Sequence, residues 1–146
     1  MRRVIFLDID GVLAPIRSWE RYDDLAPACV EVLNQIVARV DADVVVSSTW
    51  RYDKTVAELQ QMLEAHGFAG RVVGATPTGP PGASRGEEIA AWLAEHDMSG
   101  YAIIDDHLDM GELRAHLVQT RSAHGLQPTD APRVIATLMG PLAHRQ

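Results

Sequence analysis

Val4-Ile5-Phe6-Leu7-Asp8-Ile9-Asp10-Gly11-Val12-Leu13 is the stretch from which the fold is read. Four apolar residues lead directly into a carboxylate, a second carboxylate follows two positions on, and a glycine comes next. An unbroken apolar run of this kind is the pattern of a strand covered on both faces, as in the middle of a parallel sheet. The glycine marks where the strand stops and the chain turns. Two carboxylates buried without partners would be costly. At the carboxyl edge of a parallel sheet they lie instead in the crevice where α/β folds take ligands. Their repulsion there is relieved by a hard cation such as Mg2+ between them.

Working outward, residues 14–25 show no clear periodicity and read as a flap over that crevice. Arg17, Trp19 and Tyr22 either face a substrate from it or belong to a surface loop with a packed aromatic. A helix is expected over residues 27–40, opened by Pro27, with Val30, Leu33, Ile36, Val37 and Val40 as its apolar stripe. Cys29 is read as a small packing residue of that helix.

The run Asp43-Val44-Val45-Val46-Ser47-Ser48-Thr49-Trp50-Arg51 repeats the opening pattern with hydroxyls at its end. These hydroxyls either donate to a phosphate oxygen beside backbone N–H groups or cap the next helix. That helix is expected over residues 53–65, burying Val56, Leu59, Met62 and Leu63 and ending at Gly67. Trp50 is read as packing.

Residues 71–74 predict a short third strand. Residues 75–83, rich in Pro and Gly, form a loop beside the site. Ser84 and Glu87 then match a capping box for a helix to about residue 96. Arg85 falls in its first turn, where its charge adds to the positive end of the helix dipole and can hold an anion. The alternative is an arginine facing solvent.

Tyr101-Ala102-Ile103-Ile104-Asp105-Asp106 predicts a fourth strand ending in carboxylates. A short helix over residues 110–115 and a fifth strand over residues 116–120 follow. Thr129 or Asp130 caps a last helix, with Ile135, Leu138, Met139 and Leu142 on its core face. The six histidines lack paired metal-ligand spacing. His107, the one near a motif, is read as a surface or supporting residue.

The 146 residues suit one domain, spanning 1–146, with one core. A net charge of −7 leaves no overall basic footprint for nucleic acid, although a local positive groove is compatible with it. A single cysteine excludes an internal disulfide and fits a reducing compartment. The apolar run after Met1-Arg2-Arg3 is too short for a signal-peptide core, and no run is long enough to span a bilayer. No membrane association and a cytoplasmic location are expected.

Strands alternating with helices predict an α/β fold with a mainly parallel sheet and helices on both faces. Right-handed crossovers then bring Asp8 and Asp10, Ser47 and Ser48, Asp105 and Asp106, and Arg85 to one sheet edge. Carboxylates for a hard cation beside donors for an anion make a site for a phosphorylated ligand bridged by Mg2+.

With these motifs in this order, the sequence resembles the haloacid dehalogenase-like (HAD) superfamily over nearly its whole length. The four motifs are Asp8-Ile9-Asp10-Gly11-Val12-Leu13, the hydroxyl after Val44–Val46, Arg85 where most members carry lysine, and Asp105-Asp106. The resemblance implies a HAD-like Rossmannoid three-layer sandwich on a five-stranded sheet, and a phosphatase rather than a dehalogenase. It implies Asp8 as the nucleophile forming an aspartyl-phosphate, and Asp10 as acid then base with its carbonyl on the metal. It implies a serine and Arg85 on the phosphate oxygens, and Asp106 with Asp105 on Mg2+. Ser48 is preferred to Ser47, which is read as part of the strand.

The gaps between motifs leave no room for a folded cap. In this superfamily an open site leans toward large substrates such as nucleic-acid ends or phosphoproteins. The Ser-Ser-Thr-Trp-Arg run, the Ser-Arg-Gly-Glu-Glu-Ile helix start and the Leu-Val-Gln-Thr strand before Gly125-Leu126 also look like HAD domains associated with RNA repair proteins. Two rival expectations are a nucleotide or small-metabolite phosphatase and a phosphate-binding regulatory module without turnover.

Overall fold

The apolar runs become strands close to where the sequence places them. The structure, a computed structural model, describes residues 2–16 and 25–141. Along the chain lie β1 (Arg3–Leu7), α1 (Pro27–Val40), β2 (Ala42–Val46), α2 (Val56–Ala65), β3 (Val72–Ala75), α3 (Arg85–Ala94), β4 (Gly100–Asp105), β5 (Leu117–Gln119) and α4 (Ala131–Met139). The sheet order is β3-β2-β1-β4-β5, and every pairing is parallel. β1 therefore sits in the centre, where the connections leave in opposite directions. That is the switch point at which such sheets open a crevice.

The central strands β1, β2 and β4 feed both faces, because successive side chains alternate. Ile5, Leu7, Val44, Val46, Ala102 and Ile104 pack under α1, α2 and α4. Val4, Phe6, Val45, Tyr101 and Ile103 pack under α3 with Met110 and Leu113. The result is the expected three-layer α/β sandwich. Phe6 sits edge-on to both Trp92 and Tyr101, with ring centroids 5.4 and 5.7 Å away. Between β2 and α3 lie one helix, one strand and the Pro/Gly loop, with no folded cap. No helix among the described residues is long and apolar enough to cross a membrane.

Several local expectations need correction. α2 starts at Val56, not near Asp53, because Ser48 caps a separate 3-10 turn, Thr49–Arg51, and Thr55 with Glu58 forms the capping box of α2. Val56 is consequently exposed at the helix start, while Leu59 and Leu63 are buried and Met62 packs partly against the core. The short helix before β5 is a 3-10 helix, Gly111–His116. Neither Thr129 nor Asp130 caps α4 through its side chain; Asp130 instead accepts from the Gln127 N–H and pairs with Arg133. Val134 and Leu138 carry the core face of α4, and Met139 is exposed. Arg17, Trp19, Tyr22 and Leu142 lie outside the described residues.

At the opposite end of the sheet from the crevice, Asp43 is buried between Arg2 and Arg71. Burial raises its carboxyl, but the hydrogen bonds from Arg2 and then Arg71 outweigh that and hold it below the usual range. A lowered carboxyl pKa stabilises the fold above the unfolded value near 4, and the benefit fades as pH falls through the folded value. Acid unfolding of Asp43→Asn is thus expected to depend less steeply on pH below about 4. At neutral pH the loss is on the order of 1 kcal/mol, because both arginines are solvent-exposed. Thermal melts of both proteins between neutral and acid pH check this.

Candidate active site

Period-two alternation decides what meets at the crevice. Leu7 is in register with Val46 on one side and Ile104 on the other. One step further, Asp8 lies between Ser47 and Asp105, with Asp8 N–H donating to Ile104 O and Ser47 N–H to Leu7 O. Alternation sends Asp8, Ser47 and Asp105 to the α3 face, the face already occupied by Phe6, Val45 and Ile103.

Arg85 meets them there. The Ser84 hydroxyl accepts from Glu87 N–H while Glu87 accepts from Ser84 N–H, so the capping box fixes Arg85 as the first residue of α3. Gly86 lets that turn approach closely, since a Cβ on it would stand 2.6 Å from the Met110 carbonyl. Arg85 Nη1 is 2.9 Å from Asp8 Oδ1 and 2.9 Å from Asp105 Oδ2. The expected juxtaposition of Arg85 with the first and fourth motifs is present.

Asp106 turns the other way. Its Oδ2 accepts from Ser122 Oγ at 2.8 Å, and its carbonyl accepts from Gln119 Nε2. His107 N–H donates to Asp105 Oδ1, and His107 Nδ1 stands 3.2 Å from Asp105 Oδ1 and 3.0 Å from Asp106 Oδ1. Ligand-capable atoms of Asp8, Asp105, Asp106 and His107 all lie within 4.8 Å of one another. His107, read from sequence as a surface or supporting residue, thus joins the cluster with an exposed side chain.

Two carboxylates here share one arginine, and a third, Asp106, lies within reach of both. Burial, then the Asp105 charge, pushes the Asp8 carboxyl well up, and Arg85 only partly offsets this. Burial raises Asp105 too, against Arg85 and the His107 N–H. The donor set is short of positive charge, rich in hard oxygen and close enough to share one ion. It fits Mg2+.

Gly11 leaves room for this corner. Its φ is +81°, and a Cβ would stand 2.2 Å from Asp106 Oδ2. Thr120 Oγ1 clamps its carbonyl at 2.7 Å. Gly11→Ala is expected to strain the turn, displace Asp106 and weaken Mg2+ binding by about tenfold or more. Calorimetric titration with Mg2+ checks this; unchanged affinity would separate Asp106 from the cation site.

Asp10 has one contact that the sequence reading missed. Trp50, expected to pack, does pack partly against the core, and its indole N–H also donates to Asp10 Oδ2 at 3.1 Å. The two serines also differ from expectation. β2 ends at Val46, so both lie past the strand. Ser48 Oγ accepts from Trp50 N–H as the cap of the 3-10 turn, whereas Ser47 Oγ is buried without a hydrogen-bond partner among the described residues.

The largest omission from the sequence reading is Arg51. It is buried; its Nε donates to Thr76 O, its Nη1 to Ser47 O and Ser48 O, and its Nη2 pairs with Glu88 Oε1 at 3.0 Å. Glu88 Oε2 in turn accepts from Gly79 N–H. One side chain thereby ties the ends of β2 and β3 to α3, the helix that carries Arg85. Nothing local marks an arginine that follows Ser-Ser-Thr-Trp as buried. The contacts of Thr120 with Gly11, and of Ser122 and Gln119 with Asp106, are likewise not encoded locally, since they follow from β5 lying beside β4.

Comparison with curated proteins finds no matching sequence. Over residues 4–131 the chain matches the family described as the HAD domain in Swiss Army Knife RNA repair proteins. With that match covering most of its length, and with the parallel sheet and acidic cluster above, this chain belongs to that HAD family.

Proposed function

We propose that this single HAD domain is a Mg2+-dependent phosphomonoesterase working through an aspartyl-phosphate, with an open site for a large substrate such as a nucleic-acid end. The observation that carries the reading is Asp8, buried and held by Arg85 beside two further carboxylates. Asp8, Asp106 and Asp105, with the Asp10 carbonyl, would hold the metal. When bound, Mg2+ supplies the positive charge that lets one anion approach another.

Arg85 orients Asp8 and takes non-bridging phosphate oxygens as charge builds on them. Ser47 is the better-supported second donor: it lies on the Asp8 face and its hydroxyl has no partner among the described residues, while Ser48 caps a turn. Asp8 Oδ attacks phosphorus, and the P–O bond to the leaving alcohol breaks. Asp10 gives that oxygen a proton. A water then attacks phosphorus of the acyl phosphate, giving its proton to Asp10, and inorganic phosphate leaves with Asp8 regenerated. The Trp50 indole fixes the Asp10 carboxyl for both transfers.

Phosphate release from a panel of phosphate esters, with Mg2+ and with chelator, tests the proposal. Expected are Mg2+-dependent release and a preference for a 3′-phosphorylated oligonucleotide over a mononucleotide. Preference for the mononucleotide would favour a small-substrate phosphatase. Binding without release from any ester would favour a regulatory module.

A further inference from the structure

Beside Arg85 lies a cavity of about 260 Å³ whose lining includes Thr49, Tyr52, Arg85 and His107. It joins the phosphate end of the site to an aromatic ring. Tyr52 is 45% exposed, although most large apolar side chains here are buried. One face of its ring is covered: the Arg51 guanidinium carbon lies 4.9 Å from the ring centroid. That guanidinium cannot drift, because three carbonyls and Glu88 hold it. Tyr52 is thus an exposed ring backed on one face by a buried, hydrogen-bonded arginine. Leu108, between two residues of the cavity wall, is also exposed.

We infer that Tyr52 is the stacking platform for the base of the phosphorylated nucleotide whose phosphate is held at Asp8 and Arg85. The inference rests on the phosphomonoesterase reading and adds a specificity determinant to it. A flat π surface accepts any base, and a ring already packed on Arg51 has less freedom to lose on stacking. At about 260 Å³ the cavity is on the scale of one nucleoside. Stacking also reconciles a nucleic-acid substrate with a net charge of −7, because affinity then comes from a base face and one terminal phosphate rather than from many backbone phosphates.

Equilibrium binding to the Asp8→Asn chain with Mg2+ tests this without turnover. The probes are a short single-stranded RNA with a 3′-phosphate, the same RNA with an abasic terminal nucleotide, and a 3′-mononucleotide. Tyr52→Ala is expected to weaken the normal RNA about tenfold and the abasic RNA less than about twofold, while Tyr52→Trp retains binding. Equal losses on both RNAs, or Tyr52→Trp behaving as Tyr52→Ala, would overturn the inference. So would a phosphotyrosine peptide bound with the same dependence on Tyr52. Full dependence in the mononucleotide assigns the base to a free nucleotide; dependence confined to the RNA assigns it to a strand end. Absence of phosphate release by the wild-type chain would remove the catalytic reading and leave this binding result standing.

Discussion

Asp8→Asn is expected to lower phosphate release by at least about a thousandfold while leaving the protein folded. The asparagine keeps the size of the side chain and one oxygen to accept from Arg85. It loses the negative oxygen that must attack phosphorus. The fold survives because Asp8 is a poor contributor to stability without a cation: burial and the neighbouring Asp105 both work against its ionised form. The wild-type protein is accordingly expected to gain melting temperature on adding Mg2+, and Asp8→Asn to gain less. Steady-state release and thermal melts with and without Mg2+ read both effects. Turnover unchanged in Asp8→Asn would remove Asp8 as the nucleophile.

Arg51→Met is expected to produce the largest loss of stability. The arginine is buried and its partner Glu88 half-buried, and removing one member of such a pair leaves the other charge stranded at a cost of up to about 3–5 kcal/mol. Three carbonyls, of Ser47, Ser48 and Thr76, lose a donor as well. The melting temperature should fall on the order of 10 °C. Arg51→Met combined with Glu88→Met should recover part of the loss, because no charge then remains unpaired. Double-mutant melts measure the coupling. If Arg51→Met melts with the wild type, the ion pair does not hold the loops.

Much of this was legible because the signals are local. An apolar run ending in Asp8-Ile9-Asp10-Gly11 announces a buried strand and its edge whatever surrounds it. Ser84 and Glu87 announce a helix start within four residues, which places Arg85 without reference to anything distant. Where local signals crowd together the expectation is less sharp: Ser48 and Thr55 each cap a helical segment, and the expected start of α2 near residue 53 falls in the turn between them. Met139 matched the helical period yet faces solvent, because period gives a stripe and not which of its members the sheet covers.

The chain order alone thus determined the α/β alternation, the central acidic strand and the four motifs, since each rests on neighbours a few residues apart. Only the tertiary structure decided that Asp8, Ser47 and Asp105 share a face, that Arg51 is a buried tie and that Tyr52 stands beside Arg85. Those facts depend on strand register and on crossings between segments dozens of residues apart, and no local pattern encodes such a meeting.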